Sequence, residues 1–300
     1  YGLELVGAGL ATVDQRKIDY GEAPKDLVDA QLAAQGNKVG IWSIEQAVPK
    51  DDVPKTTTIT TEKVVKVTLS EIISGCHFFF RMVGDDSARA IDESMRIFTG
   101  NNGTNGVQCE VRPGNVVAAL FDDGSGKAWY RAKIMERADR GRVRVLFIDH
   151  GNSASVPVSS HLRPLDMTLG TDKIPAVAKE AELALTLTRS LNEDEGLEAA
   201  EMMQGLAWGK ELTSCIHCEI DGKLQVTLMD GDKNLNEALV AEGLARVPKD
   251  MIVKSVMTRV RDRTAITKLV TDLRSAQEAA RGSRVGIWRY GDIGDDDDEE

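Results

Sequence analysis

A stretch near the start of the chain recurs near its end, and this repetition constrains the fold more than any other feature. Ala8-Gly9-Leu10-Ala11-Thr12-Val13 is echoed by Glu242-Gly243-Leu244-Ala245-Arg246-Val247. The run Ala30-Gln31-Leu32-Ala33-Ala34-Gln35-Gly36, closing on Val39-Gly40-Ile41-Trp42, is echoed by Ala276-Gln277-Glu278-Ala279-Ala280-Arg281-Gly282, closing on Val285-Gly286-Ile287-Trp288. Self-similarity of this kind marks repeated structural units. The first copy has almost nothing before it, whereas the second has a full domain before it. The expectation is therefore a chain that starts inside the end of one repeat (residues 1–45), contains one complete repeat, and is a piece of a longer protein.

Pro49 and Pro54, with mixed charge and no apolar period, make residues 46–62 a linker. Beyond it the pattern reads as strands over 64–69 and 76–81, the latter around three phenylalanines. Ala88, Ile91, Met95 and Phe98 share one helical face over 86–98, and residues 99–106 form a loop by composition. Short strands at 116–121, 128–135, 142–149 and 153–158 predict a small closed barrel over 101–168. Ala181, Leu183, Leu185 and Leu187 alternate as one further strand, and 197–208 reads as a helix with Asp194 and Glu195 at its positive end. A strand pair surrounds Asp221-Gly222, a short helix at 236–242 is capped by Gly243, and one long helix runs over 254–281. The fold class is thus mainly β with helices: a small barrel (101–168) interrupting a second domain made of residues 63–100 and 169–292.

Charge narrows the partners. At a net −11 the chain is a poor global ligand for nucleic acid, whose affinity comes from Lys and Arg releasing counterions, so a cationic peptide is the expected partner. Residues 293–300, ending in Asp295-Asp296-Asp297-Asp298-Glu299-Glu300, read as a solvated, disordered acidic tail. No apolar run approaches the roughly 20 residues a membrane span needs, and no leader is visible. Four cysteines do not make a disulfide framework, so a reducing compartment, cytoplasmic and also nuclear, is expected. Cys215-Ile216-His217-Cys218 has no second cysteine pair nearby, so buried strand cysteines are expected rather than a metal site, and no cofactor is expected.

Asn236-Glu237-Ala238-Leu239-Val240-Ala241-Glu242-Gly243-Leu244-Ala245-Arg246-Val247, with the closing Val285-Gly286-Ile287-Trp288, resembles the C-terminal half of staphylococcal nuclease-like domains, which are OB-type barrels with helices outside. Trp129-Tyr130-Arg131-Ala132 followed by Leu146-Phe147-Ile148-Asp149-His150-Gly151-Asn152 resembles the signature of Tudor domains, small SH3-like barrels. A Tudor domain nested in a nuclease-like domain, after another such repeat, is similar to the C-terminal region of the Tudor staphylococcal nucleases. The resemblance implies a binding module that recognises methylated arginine, symmetrically or asymmetrically dimethylated, on partners of the spliceosomal or small-RNA-pathway type, in RNA metabolism and RNA silencing. It also implies that this repeat is no nuclease: Cys76, in Ser74-Gly75-Cys76-His77, stands where the family has a calcium-binding carboxylate, and a thiol suits that hard cation poorly. Lys223 falls near a later arginine position but lacks the bidentate fork that phosphate recognition favours. Nuclease activity is expected, if anywhere, in repeats outside this chain.

For the methylarginine site, the resemblance assigns the aromatic cage to Phe121, Tyr130, Phe147 and His150, with Asn152 accepting a guanidinium N–H. Trp129 is expected to pack the barrel and Asp149 to brace the turn through Arg131. His150 departs from the tyrosine usual in these readers; a protonated imidazole repels a cation, so binding is expected to weaken as pH falls through about 6.5. The rival expectation is an RNA-binding module that uses the OB-type surface and a basic helix bearing Lys249, Lys254, Arg259, Arg261, Arg263 and Lys268, with a vestigial cage.

Overall fold

The computed structural model describes residues 2–8, 11, 24–36, 63–106, 109–124, 126–138, 140–260 and 263–291. The expected linker, the acidic tail, the Val39-Gly40-Ile41-Trp42 end of the first repeat copy, and Arg261 lie outside the described residues. The chain divides into two units, residues 1–58 and 59–300. In the first, helices α1 (Gly2–Gly7) and α2 (Lys25–Gly36) pack together and bury Val6 and Ala34.

The second unit opens with a hairpin, β1 (Lys63–Ile72) and β2 (His77–Met82), followed by α3 (Asp86–Asn102). A small domain follows: β3 (Val116–Asp122), β4 (Lys127–Ala138), β5 (Arg142–Phe147), β6 (Ser153–Pro157), the one-turn α4 (Val158–His161) and β7 (Leu162–Arg163). The chain then returns through β8 (Lys179–Leu183), β9 (Leu187–Thr188), α5 (Asp194–Ala207), β10 (Leu212–Ile220) and β11 (Lys223–Asp230). It ends with β12 (Lys233–Asn234), α6 (Leu235–Ala241), β13 (Ala245–Arg246), α7 (Asp250–Arg259) and α8 (Arg263–Ser283).

Strands pair in the order β10-β1-β2-β8-β11, and β11 pairs back on β10, which closes a five-stranded barrel with β12 as an extension. Strand alternation sends Phe78 and Phe80 of β2 into its core, where they meet Leu183, Leu212, Val226, Leu228 and the helix residues Leu239, Val256 and Leu273. The small domain is spliced between β2 and β8, which are themselves antiparallel neighbours. Its own sheet runs β6-β5-β4-β3-β7, and all five strands contribute to one core that includes Ala119, Ala132, Ile134, Val145, Val156 and Leu162. A third cluster glues α3 to the outside of the small sheet: Ala88, Ile91 and Met95 meet Ala118, Leu120 and Trp129. The fold is therefore the expected one, a small barrel inserted in an OB-type barrel.

Several element boundaries differ from those the pattern suggests. The helix expected to stop at Phe98 continues through Asn102, because Asp85 caps its start and Gly103, at φ 59°, ends it. The single strand expected through Ala181 and Leu187 is two, since Leu185 takes φ 57° and turns the chain between β8 and β9. The long helix expected over 254–281 is broken at Val260, which is extended (φ −91°, ψ 132°) and buried. The apolar spacing explains this: Val253, Val256 and Val260 belong to one helical phase, while Ile266, Leu269 and Leu273 begin another, so both stripes reach the core only if the chain turns between them. The Asp221-Gly222 hairpin has both residues at positive φ, 51° and 81°, as a tight two-residue turn requires.

Candidate functional site

The four rings assigned to the cage come together at one end of the small barrel. Phe121 is the penultimate residue of β3, Tyr130 sits on β4 opposite Ala119, and Phe147 closes β5 opposite Ala132. Ring centroids lie 4.9 Å apart for Phe121 and Phe147, 5.9 Å for Tyr130 and Phe147, and 6.4 Å for Phe121 and Tyr130. After Phe147 the chain folds back on itself: the N–H groups of His150 and Gly151 donate to the Phe147 carbonyl at 3.1 and 2.7 Å, and Phe147 N–H donates to the Asn152 carbonyl at 2.9 Å. This turn sets the His150 ring perpendicular to Tyr130 at 5.2 Å. Gly151 makes the turn possible: its φ is +96°, and a Cβ there would fall 2.2 Å from Phe79 Cγ on the outward face of β2.

The rings are not equivalent. Phe147 is only 1% exposed and belongs to the barrel core beneath the other rings, whereas Phe121, Tyr130 and His150 are half-buried, and of the four only Tyr130 and His150 line the adjoining cavity. A guanidinium plane needs about 3.5–4 Å from each face it stacks on, so none fits between Phe121 and Phe147 as they stand. The adjoining cavity, about 320 Å³, opens instead beside Tyr130 and His150, and its other walls include Arg81, Asp92, Arg131 and Asp149. Asn152 is half-buried at the end of the turn and makes no side-chain hydrogen bond among the described residues.

Two polar arrangements hold this end of the barrel. Arg131, 1% exposed, grips Asp149 with two N–H donors at 2.8 and 2.6 Å and donates to the carbonyls of Leu169, Ile174 and Pro175. The Asp149 carboxylate also accepts the Val177 N–H at 3.2 Å, so one buried cluster ties β4, the turn and the returning segment together. The Tyr130 hydroxyl donates to Asp123 at 2.8 Å. Burial, then that bond, then the nearby Asp122 and Asp92 push the phenol up to about 12, so it stays neutral. Burial depresses His150 below the usual imidazole range and the Arg81 charge lowers it further, against partial opposition from Asp149, Asp92 and Asp123. His150 thus takes up its proton at lower pH than a reference imidazole, whose pKa is about 6.5.

Trp129 departs from expectation. Strand alternation turns it out of the small barrel and under α3, where it is buried, stands edge-on to Phe98 at 6.4 Å and donates through Nε1 to the Gly103 carbonyl. Arg81 and Asp92 went unnoticed in the sequence, because the outer barrel and α3 deliver them to the site from outside the Tudor-like motif.

In the outer barrel, Cys76 is half-buried with Sγ 3.4 Å from Thr188 Oγ1, and Gly75 lies so close to α5 that a Cβ would meet Ala199 Cβ at 2.6 Å. Lys223 donates to Glu182 at 2.7 Å, which occupies the cation that a phosphate would need. Cys218 joins the barrel core and His217 Nε2 pairs with Thr227 Oγ1 at 2.8 Å; none of the four cysteines forms a disulfide. Among the described residues no cluster of three His, Cys, Asp or Glu side chains could hold a metal ion, and no helix is long and apolar enough to cross a membrane. Lys249, Lys254, Arg259, Arg263 and Lys268 are exposed, but they are distributed over α7, its cap and α8 rather than along one helix.

Comparison with known proteins gives this geometry a context. The Tudor domain family matches residues 59–185. "Ribonuclease TUDOR 1" of Arabidopsis thaliana is 30% identical over 91% of this chain, which corresponds to 29% of that protein. The chain thus spans under a third of the length of the curated relatives it first matches, at 29%, 31% and 31%. Among solved structures, the extended Tudor domain of Drosophila melanogaster Tudor-SN superposes with a TM-score of 0.61 at 25% identity, covering 75% of this chain and 99% of that one. The extended Tudor domain TD3 of mouse TDRD1, solved with a MILI peptide containing dimethylarginine, shares the fold with a TM-score of 0.54 at 23% identity, covering 63% of this chain and 96% of that one.

Proposed function

We propose that this chain, which is similar to the Tudor domain family over residues 59–185 and to the extended Tudor domain of Tudor-SN in fold, is a non-catalytic binding module for methylated, including symmetrically dimethylated, arginine on Arg-Gly-rich partner proteins of RNA metabolism. The observation that carries the reading is the clustering of Phe121, Tyr130, Phe147 and His150, neighbouring ring centroids lying 4.9 to 6.4 Å apart, with a cavity beside Tyr130 and His150 and the Asn152 side chain making no hydrogen bond among the described residues at the end of the adjoining turn. Methylation leaves the guanidinium charge in place and replaces N–H donors with apolar surface, which suits aromatic walls at roughly 0.5–2 kcal/mol for each desolvated contact. The carboxylates of Asp92, Asp122 and Asp123 bias the surroundings toward a cation. Relatives of the same fold solved with dimethylarginine peptides support the reading. We place the protein in the cytoplasm, and also the nucleus, among partners of the spliceosomal and small-RNA type, and assign any nuclease activity to repeats outside this chain.

Calorimetric titration with an Arg-Gly peptide, unmodified and symmetrically dimethylated, tests this. Three or four cage contacts correspond to an affinity on the order of tens to hundreds of micromolar for the methylated form alone. Equal binding of both forms, or of neither, would reject it. The rival reading rests on the exposed basic residues of α7 and α8, and it differs in salt response: RNA binding falls steeply with added salt, cage binding mildly.

A further inference from the structure

The outward face of β2 is drawn into the site by the small barrel's turn. Phe79 receives Gly151, and Arg81, two residues along, reaches the cavity that Tyr130 and His150 line. There its guanidinium donates to Asp92 Oδ2 at 2.7 Å and to the Ala88 carbonyl at 3.4 Å. The other cations of that cavity are matched more fully: Arg131 is held bidentately by buried Asp149, and Arg96 bidentately by Glu93. Among the described residues Arg81 is matched only by Asp92, whose side chain is half exposed.

A cationic guest beside His150 therefore meets a like charge from Arg81 and an opposite one from Asp92, both supplied from outside the Tudor-type barrel. Resting on the methylarginine reading, we propose that the Arg81–Asp92 pair determines the charge selectivity of the cage. Asp92 neutralises Arg81 and attracts the guest, while Arg81 works against it. The extended architecture then contributes electrostatics to the site as well as support. It also makes the cage responsive to the peptide: a ligand with a carboxylate next to the methylarginine competes with Asp92 for Arg81.

The test is titration of the methylated Arg-Gly peptide into the whole chain and into Asp92→Asn, Arg81→Gln and Arg81→Lys, at low salt and at about 0.5 M, where screening is effective beyond about 4 Å. At low salt Asp92→Asn should weaken binding about 3–5-fold and Arg81→Gln strengthen it about 3-fold, the size expected of one charge acting across a solvated cleft. Arg81→Lys, which keeps the charge, should not reproduce the gain, and both effects should shrink at high salt. A merely structural pair would behave otherwise, because both variants break the same ion pair and would shift affinity in the same direction. Shifts of the same sign, or shifts indifferent to salt, would overturn the proposal while leaving the reader intact. Failure of the unaltered chain to prefer the methylated peptide would instead remove the reading beneath it.

Discussion

Asp149→Asn should destabilise the inserted barrel far more than its conservative size suggests. Arg131 is 1% exposed and makes two bonds to Asp149 and three to backbone carbonyls. The substitution keeps the shape and one acceptor but removes the only carboxylate that grips the buried guanidinium among the described residues. Leaving a buried charge without its partner costs about 3–5 kcal/mol. With a urea slope of about 3 kcal/mol per molar, the unfolding midpoint should fall by about 1–1.7 M. The assay is urea unfolding followed by far-UV circular dichroism and tryptophan fluorescence. Arg131→Met should be comparably damaging, because it strands the carboxylate with the Val177 N–H. The double variant Arg131→Met with Asp149→Leu should lose less than the sum of the singles, by a coupling of about 2–3 kcal/mol. A midpoint for Asp149→Asn within about 0.3 M of the unaltered chain, or singles that simply add, would refute the view that this buried pair locks the site.

Gly151→Ala should cost about 2–4 kcal/mol, from positive φ together with the clash against Phe79, and Phe79→Ala in the same chain should recover part of the loss in the same urea assay. Methylated-peptide affinity should decline on acidification, and at lower pH than an ordinary imidazole would give, because the His150 pKa is depressed and only the protonated ring repels the guest; a calorimetric series from pH 8 to 5 that is flat throughout would remove His150 from the cage. Asn152→Ala should lower that affinity about tenfold with little change in the thermal midpoint, since its side chain makes no hydrogen bond among the described residues; equal affinity would deny it the acceptor role.

Much of this was legible because it is local. The turn residues Asp149, His150, Gly151 and Asn152 are consecutive, the two barrels announce themselves through short alternating strands, and the Asp221-Gly222 hairpin follows from turn chemistry alone. What escaped depends on assembly. Alternation separates Trp129 from Tyr130, but only the docking of α3 on the small barrel shows that Trp129 packs outside it rather than within. The burial of Phe147 follows from closure of the barrel core, so Phe147→Ala would empty that core as well as remove a ring beside the site. The break at Val260 could have been found in the phase of the apolar stripe, whereas the positive φ of Leu185 has no sequence signal, leucine being an unusual residue for that conformation. Arg81 reached the site only through the approach of two domains, and no spacing in the chain encodes that.

Whether the rings beside the 147–152 turn enclose a methylated guanidinium is tested most directly by nuclear magnetic resonance of the protein with a symmetrically dimethylated Arg-Gly peptide. The peptide N-methyl protons should move upfield in the ring currents, show contacts to the Tyr130 and His150 rings, and lose both effects in Tyr130→Ala. N-methyl signals that stay at their free positions, or perturbations confined to the exposed Lys254 and Lys268, would contradict that enclosure.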